Sequence, residues 1–214
     1  MAERVLVAIL DGSIKAGDRL IGQKLAAQLG VSATPVREAL IELGTLGFVD
    51  LQKNRGAVCV EFGPTELSDI FQIRRILEAE AACGACGNVP VQDLKDLKAR
   101  MLKLSQTVET DPDWSNHAMV ADHDLHKVIR HYCSNKRLTH EIDRYNILMR
   151  AIRRVAGNLH NVQLRAVTQH LQIIKALLAE DAELTREYVN LHIESTAQGV
   201  VKVMFQQHKG SAGR

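Results

Sequence analysis

A glycine turn between two short helical segments constrains the fold of this chain more than any other feature. The first segment carries an apolar stripe that begins at Leu25 and ends at Gly30. A second helix is expected to start at Ser32 or Thr34, because hydroxyl residues cap helix N-termini and Pro35 is tolerated in a first turn. Two helices joined this closely predict a helix-turn-helix, whose second helix can project into a DNA major groove.

Two short strands are predicted directly after the second helix. They cover residues 48–51 and 57–60, and the segment Asn54-Arg55-Gly56 between them is typical of a hairpin turn. A helix-turn-helix followed by such a hairpin is a winged helix module. Phe62-Gly63-Pro64 marks the end of this module.

The remainder of the chain has purely helical periodicity. Helices are predicted over residues 65–87, 91–108, 115–132, 135–158, 163–179 and 182–207. The predicted fold is therefore mostly α, with a winged helix-turn-helix domain at residues 1–62 and an all-α bundle of about six helices at 63–208. Residues 209–214 are expected to form a disordered tail.

Bulk charge does not indicate a nucleic-acid partner. The formal net charge is +2, and residues 1–60 carry seven Lys or Arg against six Asp or Glu. Any DNA binding must therefore rest on individually placed cations rather than on a basic tail.

The cysteines and the apolar segments indicate the cellular compartment. Cys83 and Cys86 form a single C-x-x-C pair without a second pair, so buried reduced thiols are favoured over a zinc ribbon or a thioredoxin-like motif. The first residues do not resemble a signal peptide, and apolar runs stay below the ~20 residues of a membrane helix. We expect a cytoplasmic protein that does not interact with a membrane.

Three histidines and one aspartate lie on the apolar faces of three predicted helices. Asp122 and His126 are spaced i, i+4 on one face, and His170 and His192 lie on two further apolar stripes. Unpaired polar groups in a helical core are costly, and a shared divalent cation would resolve that cost. The alternative is that each histidine is simply hydrogen-bonded in the core.

These features together resemble a known family. The chain is similar to GntR-superfamily transcription regulators, and its helical part resembles the FCD effector-binding domain of the FadR-like branch. The resemblance is carried by Gly17-Asp18-Arg19-Leu20, Leu25-Ala26, Leu29-Gly30-Val31-Ser32, Thr34-Pro35-Val36-Arg37-Glu38-Ala39-Leu40, Leu46-Gly47-Phe48-Val49, Arg74-x-x-x-Glu78, Asp122-x-x-x-His126, Asn135, His170 and His192. Ala33 departs from the family pattern, where many members carry arginine, and this removes one possible contact to a base or a phosphate.

Within the winged helix module, six residues are candidates for DNA contact. Arg37 can bond guanine bidentately or grip a phosphate, although a solvated surface arginine is the alternative. Hydroxyls at the helix N-terminus can bond phosphate or serve only as caps. Cations at the wing tip can reach the DNA backbone or minor groove, unless the hairpin is a bare turn. The candidates are Ser32, Thr34, Arg37, Lys53, Arg55 and Gly56.

The FCD resemblance implies that Asp122, His126, His170 and His192 bind a divalent transition metal. Zinc is expected first, with nickel, manganese or iron as alternatives. The effector-binding candidates are Arg74, Arg150 and Arg153, any of which could clamp an organic acid beside the metal. For Arg74, an ion pair with Glu78 one turn on is the alternative.

The sequence therefore predicts a DNA-binding transcription regulator rather than an enzyme. We expect a repressor that binds a palindromic double-stranded operator as a homodimer and whose DNA affinity is controlled by a small carboxylate. One alternative is a regulator that responds to the metal alone. Another is a metal-dependent enzyme, which would need a general base that does not stand out beside the ligands.

Overall fold

The computed structural model describes residues 1–53, 55–156 and 159–206 and confirms the predicted mostly helical architecture. Asn54 of the predicted hairpin turn and the predicted tail at 209–214 lie outside these residues. The elements, in chain order, are α1 (Ala2–Leu10), β1 (Arg19–Leu20), α2 (Gly22–Leu29), α3 (Ala33–Thr45), β2 (Val49–Gln52), β3 (Gly56–Cys59), α4 (Pro64–Ala85), α5 (Val91–Gln106), α6 (Trp114–Tyr132), α7 (Lys136–Arg144), α8 (Asn146–Val155), α9 (His160–Leu178), α10 (Ala182–Val201) and a π-helix (Lys202–Gln206).

The described residues form two compact units. The N-terminal unit contains Met1–Leu67 together with the described residues of 144–157 and 204–206. The helical unit contains Ser68–Asp143 and the described residues of 158–203. No helix in the described part of the chain is long and apolar enough to cross a membrane.

The helix-turn-helix of the N-terminal unit forms where the sequence predicts it. Gly30 ends α2 in the left-handed region at φ 67°, and Ser32 is the N-cap residue of α3. The helices cover a core that includes the fully buried side chains of Leu6, Leu43 and Phe48. This core supports α3 from one side, so its opposite side is exposed.

A three-stranded antiparallel sheet completes this module, with strand order β1-β3-β2. Strand β1 was not predicted from the sequence. Arg19 pairs with Val58 and Leu20 with Ala57. Two residues are too short for an alternation pattern, and the strand is defined by its hydrogen-bonded partner rather than by local sequence.

The helical unit is organised around α9. This helix packs against α5, α6 and α10, which explains why apolar residues and His170 are buried along most of its length. Helices α6, α9 and α10 carry the candidate metal ligands. The fold therefore brings into contact three faces that are far apart in sequence.

The single helix predicted over 135–158 is two helices, α7 and α8, separated by a turn at Tyr145. The buried residues of α7 are Thr139 and Ile142, and α7 up to Asp143 belongs to the helical unit. Helix α8 packs on α1 in the N-terminal unit. The described residues of 144–157, which were expected to belong to the helical domain at 63–208, thus group with the N-terminal unit, because the two halves of one periodic stretch bury their apolar faces in different units.

Candidate functional site

The N-terminus of α3 exposes two of the predicted DNA-contacting hydroxyls. Ser32 has an extended backbone at the N-cap position, but its side chain makes no capping hydrogen bond. Both Ser32 and Thr34 are exposed to solvent. The hydroxyl of Ser32 is therefore not occupied as a cap, and the backbone N–H groups of the first turn point in the same direction. A phosphate contact by these residues remains a prediction.

A concave surface of about 960 Å³ lies between α3, the N-terminus of α2 and the wing. Its charged lining residues are all cationic, namely Arg19, Arg37, Lys53 and Arg55. A surface that gathers four cations from a recognition helix and a wing suits the DNA backbone, which carries one charge per phosphate. We call these four residues the cationic rim.

Sequence reasoning missed Arg19 as a member of the cationic rim. It is exposed, whereas the next residue, Leu20, is buried, as expected for two neighbours on a strand. No signal in the sequence marked this residue, because the position of Arg19 beside the wing depends on the pairing of β1 with β3.

Gly56 has a structural role that the sequence analysis did not predict. It has φ 87°, and a Cβ at this position would lie 2.5 Å from the carbonyl oxygen of Leu20. Only glycine can therefore let β3 approach β1 so closely. Its proposed contact with DNA remains a prediction.

The four predicted metal ligands meet in the helical unit. Asp122 and His126 lie on α6, His170 on α9 and His192 on α10, and one ligand atom from each lies within 4.8 Å of all the others. The Nε2 atoms of His170 and His192 are 3.2 Å apart. The Asp122 Oδ1 atom lies 3.5 Å from His170 Nε2 and 3.8 Å from His126 Nε2. Ligand atoms around one tetrahedral zinc ion are about 3.3 Å apart, so this spacing fits a single ion.

The outer nitrogens of two histidines are held by neighbouring side chains. His126 Nδ1 lies 2.9 Å from Glu78 Oε2, and His192 Nδ1 lies 3.2 Å from Gln169 Oε1. Because these oxygens accept, we assign the protons to Nδ1, which leaves Nε2 of both rings with a lone pair directed at the other ligands. The Nδ1 atom of His170 is buried and makes no hydrogen bond to the described residues.

Burial keeps the inner imidazoles neutral. Desolvation lowers the pKa of His170 to about 4, against an opposing effect of Asp122. Burial, with the charges of His170 and His126, lowers the pKa of His192 well below its usual value. Neutral imidazole is the form that binds a metal ion. Two neutral nitrogens at 3.2 Å need a shared proton or a shared cation, and the nearby carboxylate of Asp122 favours the cation.

Glu78 is a site residue that the sequence analysis considered only as a partner of Arg74. The Arg74 Nη2 atom donates to Glu78 Oε1 at 2.6 Å, and the two side chains are 10% and 7% exposed. Burial alone would raise the pKa of Glu78, but the charges and hydrogen bonds of Arg74 and His126 lower it well below its usual value. Glu78 is therefore a carboxylate that links Arg74 to His126, one of the candidate metal ligands.

Arg150 and Arg153 were also predicted to contact an effector, and that contact remains a prediction. Both lie on α8, in the N-terminal unit, and not in the unit that holds the candidate metal ligands. The Arg150 Nε atom lies 2.8 Å from Glu3 Oε2, and Arg154 Nε lies 2.8 Å from Glu3 Oε1. The spacing in the sequence could not predict this, because α8 buries its apolar face against α1.

A small cavity of about 10 Å³ lies beside the cluster, lined among others by Glu78, His126, Arg130 and Ile142. A cavity of this size holds about one water molecule. Arg130 is one helical turn after His126, and its Nε atom lies 3.0 Å from Asp143 Oδ1. Arg130 was not among the predicted site residues, although its i, i+4 spacing from His126 was visible.

Comparison with known proteins is consistent with both sites. The family profile described as bacterial regulatory proteins of the gntR family matches residues 1–59, and that of the FCD domain matches residues 69–195. The transcriptional regulator McbR of Escherichia coli is 40% identical over 98 residues, which cover 46% of this chain and 44% of McbR. The match to McbR thus spans less than half of that protein.

Two further comparisons extend over nearly the whole chain. The Nta operon transcriptional regulator of Aminobacter aminovorans is 25% identical over 188 residues, covering 88% of this chain and 87% of that protein. A solved structure of E. coli McbR/YncC superimposes with a TM-score of 0.63 at 27% identity, covering 97% of this chain and 96% of the other. The chain therefore belongs to the GntR family of bacterial regulatory proteins, as a DNA-binding transcription regulator with a C-terminal FCD domain.

Proposed function

We propose that this transcription regulator is a repressor whose operator affinity is controlled by a small carboxylate bound beside a divalent transition metal. The observation that carries the proposal is the convergence of three imidazole nitrogens and one carboxylate oxygen within 4.8 Å. The proposal places ligand binding in the helical unit and DNA binding in the N-terminal unit.

The donor atoms support zinc as the metal. Three imidazoles and one carboxylate suit zinc, nickel, manganese and iron, and the cluster contains no thiolate that would select a softer ion. His126, His170, His192 and Asp122 would hold the ion. A zinc ion bound there supplies a Lewis acid that can accept a carboxylate oxygen as a further ligand.

The surrounding cations support a carboxylate effector. Arg130 lines the cavity beside His126. Arg74 is not among the lining residues of this cavity, but it pairs with Glu78, which is. A guanidinium within reach of a metal-bound carboxylate would form a charge-assisted hydrogen bond and add geometric specificity. Arg74 and Arg130 are the effector contacts that we favour, and Arg150 and Arg153 lie in the other unit.

The cationic rim supports binding to a palindromic operator as a homodimer. One winged helix offers few contacts, and two copies related by a two-fold axis double them and match the symmetry of a palindrome. Such a complex on a promoter acts as a repressor by excluding polymerase. A regulator with this target works in the cytoplasm.

One observation favours a second candidate, in which the metal itself is the signal. The cavity beside His126 has room for about one water and not for an organic acid in this conformation. In that case zinc alone would change the DNA affinity.

The test combines metal analysis, ligand binding and DNA binding. Natively purified protein is analysed for metal, screened by thermal shift against organic acids, and titrated with an operator selected from random DNA, with zinc bound and after chelation. We expect bound metal and an acid that changes both Tm and DNA affinity. His170→Ala should lose both responses, and His140→Ala, an exposed histidine on α7, should keep them. Absence of metal from the wild-type protein, with no change of Tm on chelation, would contradict the proposal.

A further inference from the structure

The chain passes from the helical unit to the N-terminal unit between two adjacent charged residues. Asp143 is the last residue of its segment of the helical unit, and Arg144 is the first residue of the segment that belongs to the N-terminal unit. Both close the same helix, α7. Each side chain has a partner within its own unit.

Asp143 is tied to the surroundings of the candidate metal site. Its Oδ1 atom lies 3.0 Å from Arg130 Nε, and the side chain of Arg130 is only 13% exposed. Arg130 follows His126 by one turn of α6 and lines the same small cavity, together with Ile142 of α7. The cavity therefore borders the last turn of α7.

Arg144 is tied to the recognition helix. Its Nη2 atom donates to the backbone carbonyl oxygen of Thr45 at 3.2 Å. Thr45 is the last residue of α3, where carbonyl groups lack partners within the helix and a cation is favoured by the helix dipole. Arg144 therefore holds the C-terminal end of the helix whose N-terminal half carries Arg37.

The segment that follows Arg144 is anchored in the same unit. Glu3 on α1 bridges Arg150 and Arg154 at 2.8 Å each. The apolar side of α8, which includes Leu148 and Ile152, is fully buried. Because α8 is fixed on α1, movement of α7 is transmitted to the short stretch around Arg144 rather than absorbed by a loose helix.

We infer that Arg144 is a positioning residue for DNA recognition and that the Asp143-Arg144 pair links the metal site to the recognition helix. Arg144 sets the orientation of α3 through the carbonyl group of Thr45. Asp143 transmits a change at the Arg130 side of the metal site to that contact. The link rests on the proposed function, whereas the positioning role of Arg144 does not.

The positioning role predicts a specific combination of effects in the full-length protein. Arg144→Ala should weaken binding to the selected operator about tenfold, because DNA must then order a recognition helix that has lost one charge-assisted hydrogen bond. The slope of log Kd against log salt concentration should stay at the wild-type value, because the contact that is removed is to a protein carbonyl group and not to a phosphate. Arg144→Lys should recover part of the affinity. Arg137→Ala, which removes an exposed cation from the same helix, should match the wild type.

The link is tested with Asp143→Asn. Operator affinity and hydrogen exchange of α3 are measured with zinc bound and after chelation. The wild type should differ between the two states, and Asp143→Asn should remove the difference while keeping its zinc affinity.

The outcomes separate the two ideas. If zinc and organic acids leave the wild-type DNA affinity unchanged, the proposed function and the link both fail, and Arg144→Ala still decides the positioning role. If the wild type responds but Asp143→Asn responds equally, the link is wrong. Wild-type affinity of Arg144→Ala, or a lower salt slope, overturns the positioning role.

Discussion

Glu78→Gln is the substitution that most directly tests how the candidate metal site is built. The change keeps the size of the side chain and removes its charge. In the structure, one carboxylate oxygen accepts from Arg74 at 2.6 Å and the other from His126 Nδ1 at 2.9 Å. A glutamine has one acceptor oxygen, so its NH2 group faces either the Arg74 guanidinium, which is also a donor, or His126 Nδ1, which can accept only if the ring proton moves to Nε2, the atom directed at the other candidate ligands.

The expected cost follows from burial. Arg74 and Glu78 are 10% and 7% exposed, so solvent screens their interaction little. Removing the charge of one partner of a buried ion pair costs about 3–5 kcal/mol, because the remaining charge loses the carboxylate that was placed to balance it. For a chain of this length about 2–4 °C in Tm corresponds to each kcal/mol, so the transition should fall by roughly 6–20 °C. Loss of an outer partner of a metal-ligand histidine should also weaken zinc binding roughly 10–100-fold.

Glu80→Gln is the matched control. Glu80 lies on the same helix and also pairs with an arginine at 2.8 Å, but its side chain is 57% exposed. An exposed pair contributes about 0–1 kcal/mol. Urea unfolding of the metal-free proteins measures stability, and competition with a zinc chelator measures affinity. If Glu78→Gln loses no more stability and no more zinc affinity than Glu80→Gln, the proposed role of the buried carboxylate is wrong.

Three further predictions concern pH, DNA contact and the wing. The pKa values of His170 and His192 are lowered in the folded protein, so the unfolded chain binds more protons below about pH 6.5. The metal-free protein should therefore lose stability as the pH falls from about 6.5 towards 4. Arg19→Ala should weaken operator binding and lower the salt slope by about 0.9 per phosphate contact. Arg4→Ala is the control, because Arg4 is an exposed cation on α1 that does not line the concave surface, and it should change neither quantity. Gly56→Ala should destabilise the N-terminal unit by about 1–3 kcal/mol or more, because φ is 87° and the added Cβ meets a strand carbonyl at 2.5 Å.

Each of these has a clear contrary result. Unfolding of the metal-free protein that is independent of pH between 4 and 6.5 would contradict neutral buried histidines. An unchanged salt slope for Arg19→Ala would remove that residue from the cationic rim. Gly17→Ala is the control for the wing, since Gly17 has φ 84° with nothing within 4 Å of an added Cβ, and equal losses for both variants would exclude the close approach as the cause.

Local sequence determined the features of this protein that depend on neighbours along the chain. The turn at Gly30 and the start of α3 after Ser32 follow from backbone preferences, and the shared face of Asp122 and His126 follows from the helical repeat. The family resemblance added the complete ligand set, which periodicity alone left as separate buried histidines.

Tertiary packing decided the remaining features, because it determines which helices bury their apolar faces against each other. The break between α7 and α8 at Tyr145 and the packing of α8 on α1 could not be predicted from the local sequence. Both halves of the predicted helix at 135–158 have the same helical periodicity. The contact of Glu78 with His126 depends on how α4 packs beside α6. Contacts within one turn of a helix can be predicted from the spacing of residues in the sequence, whereas contacts between distant segments depend on how the folded chain packs.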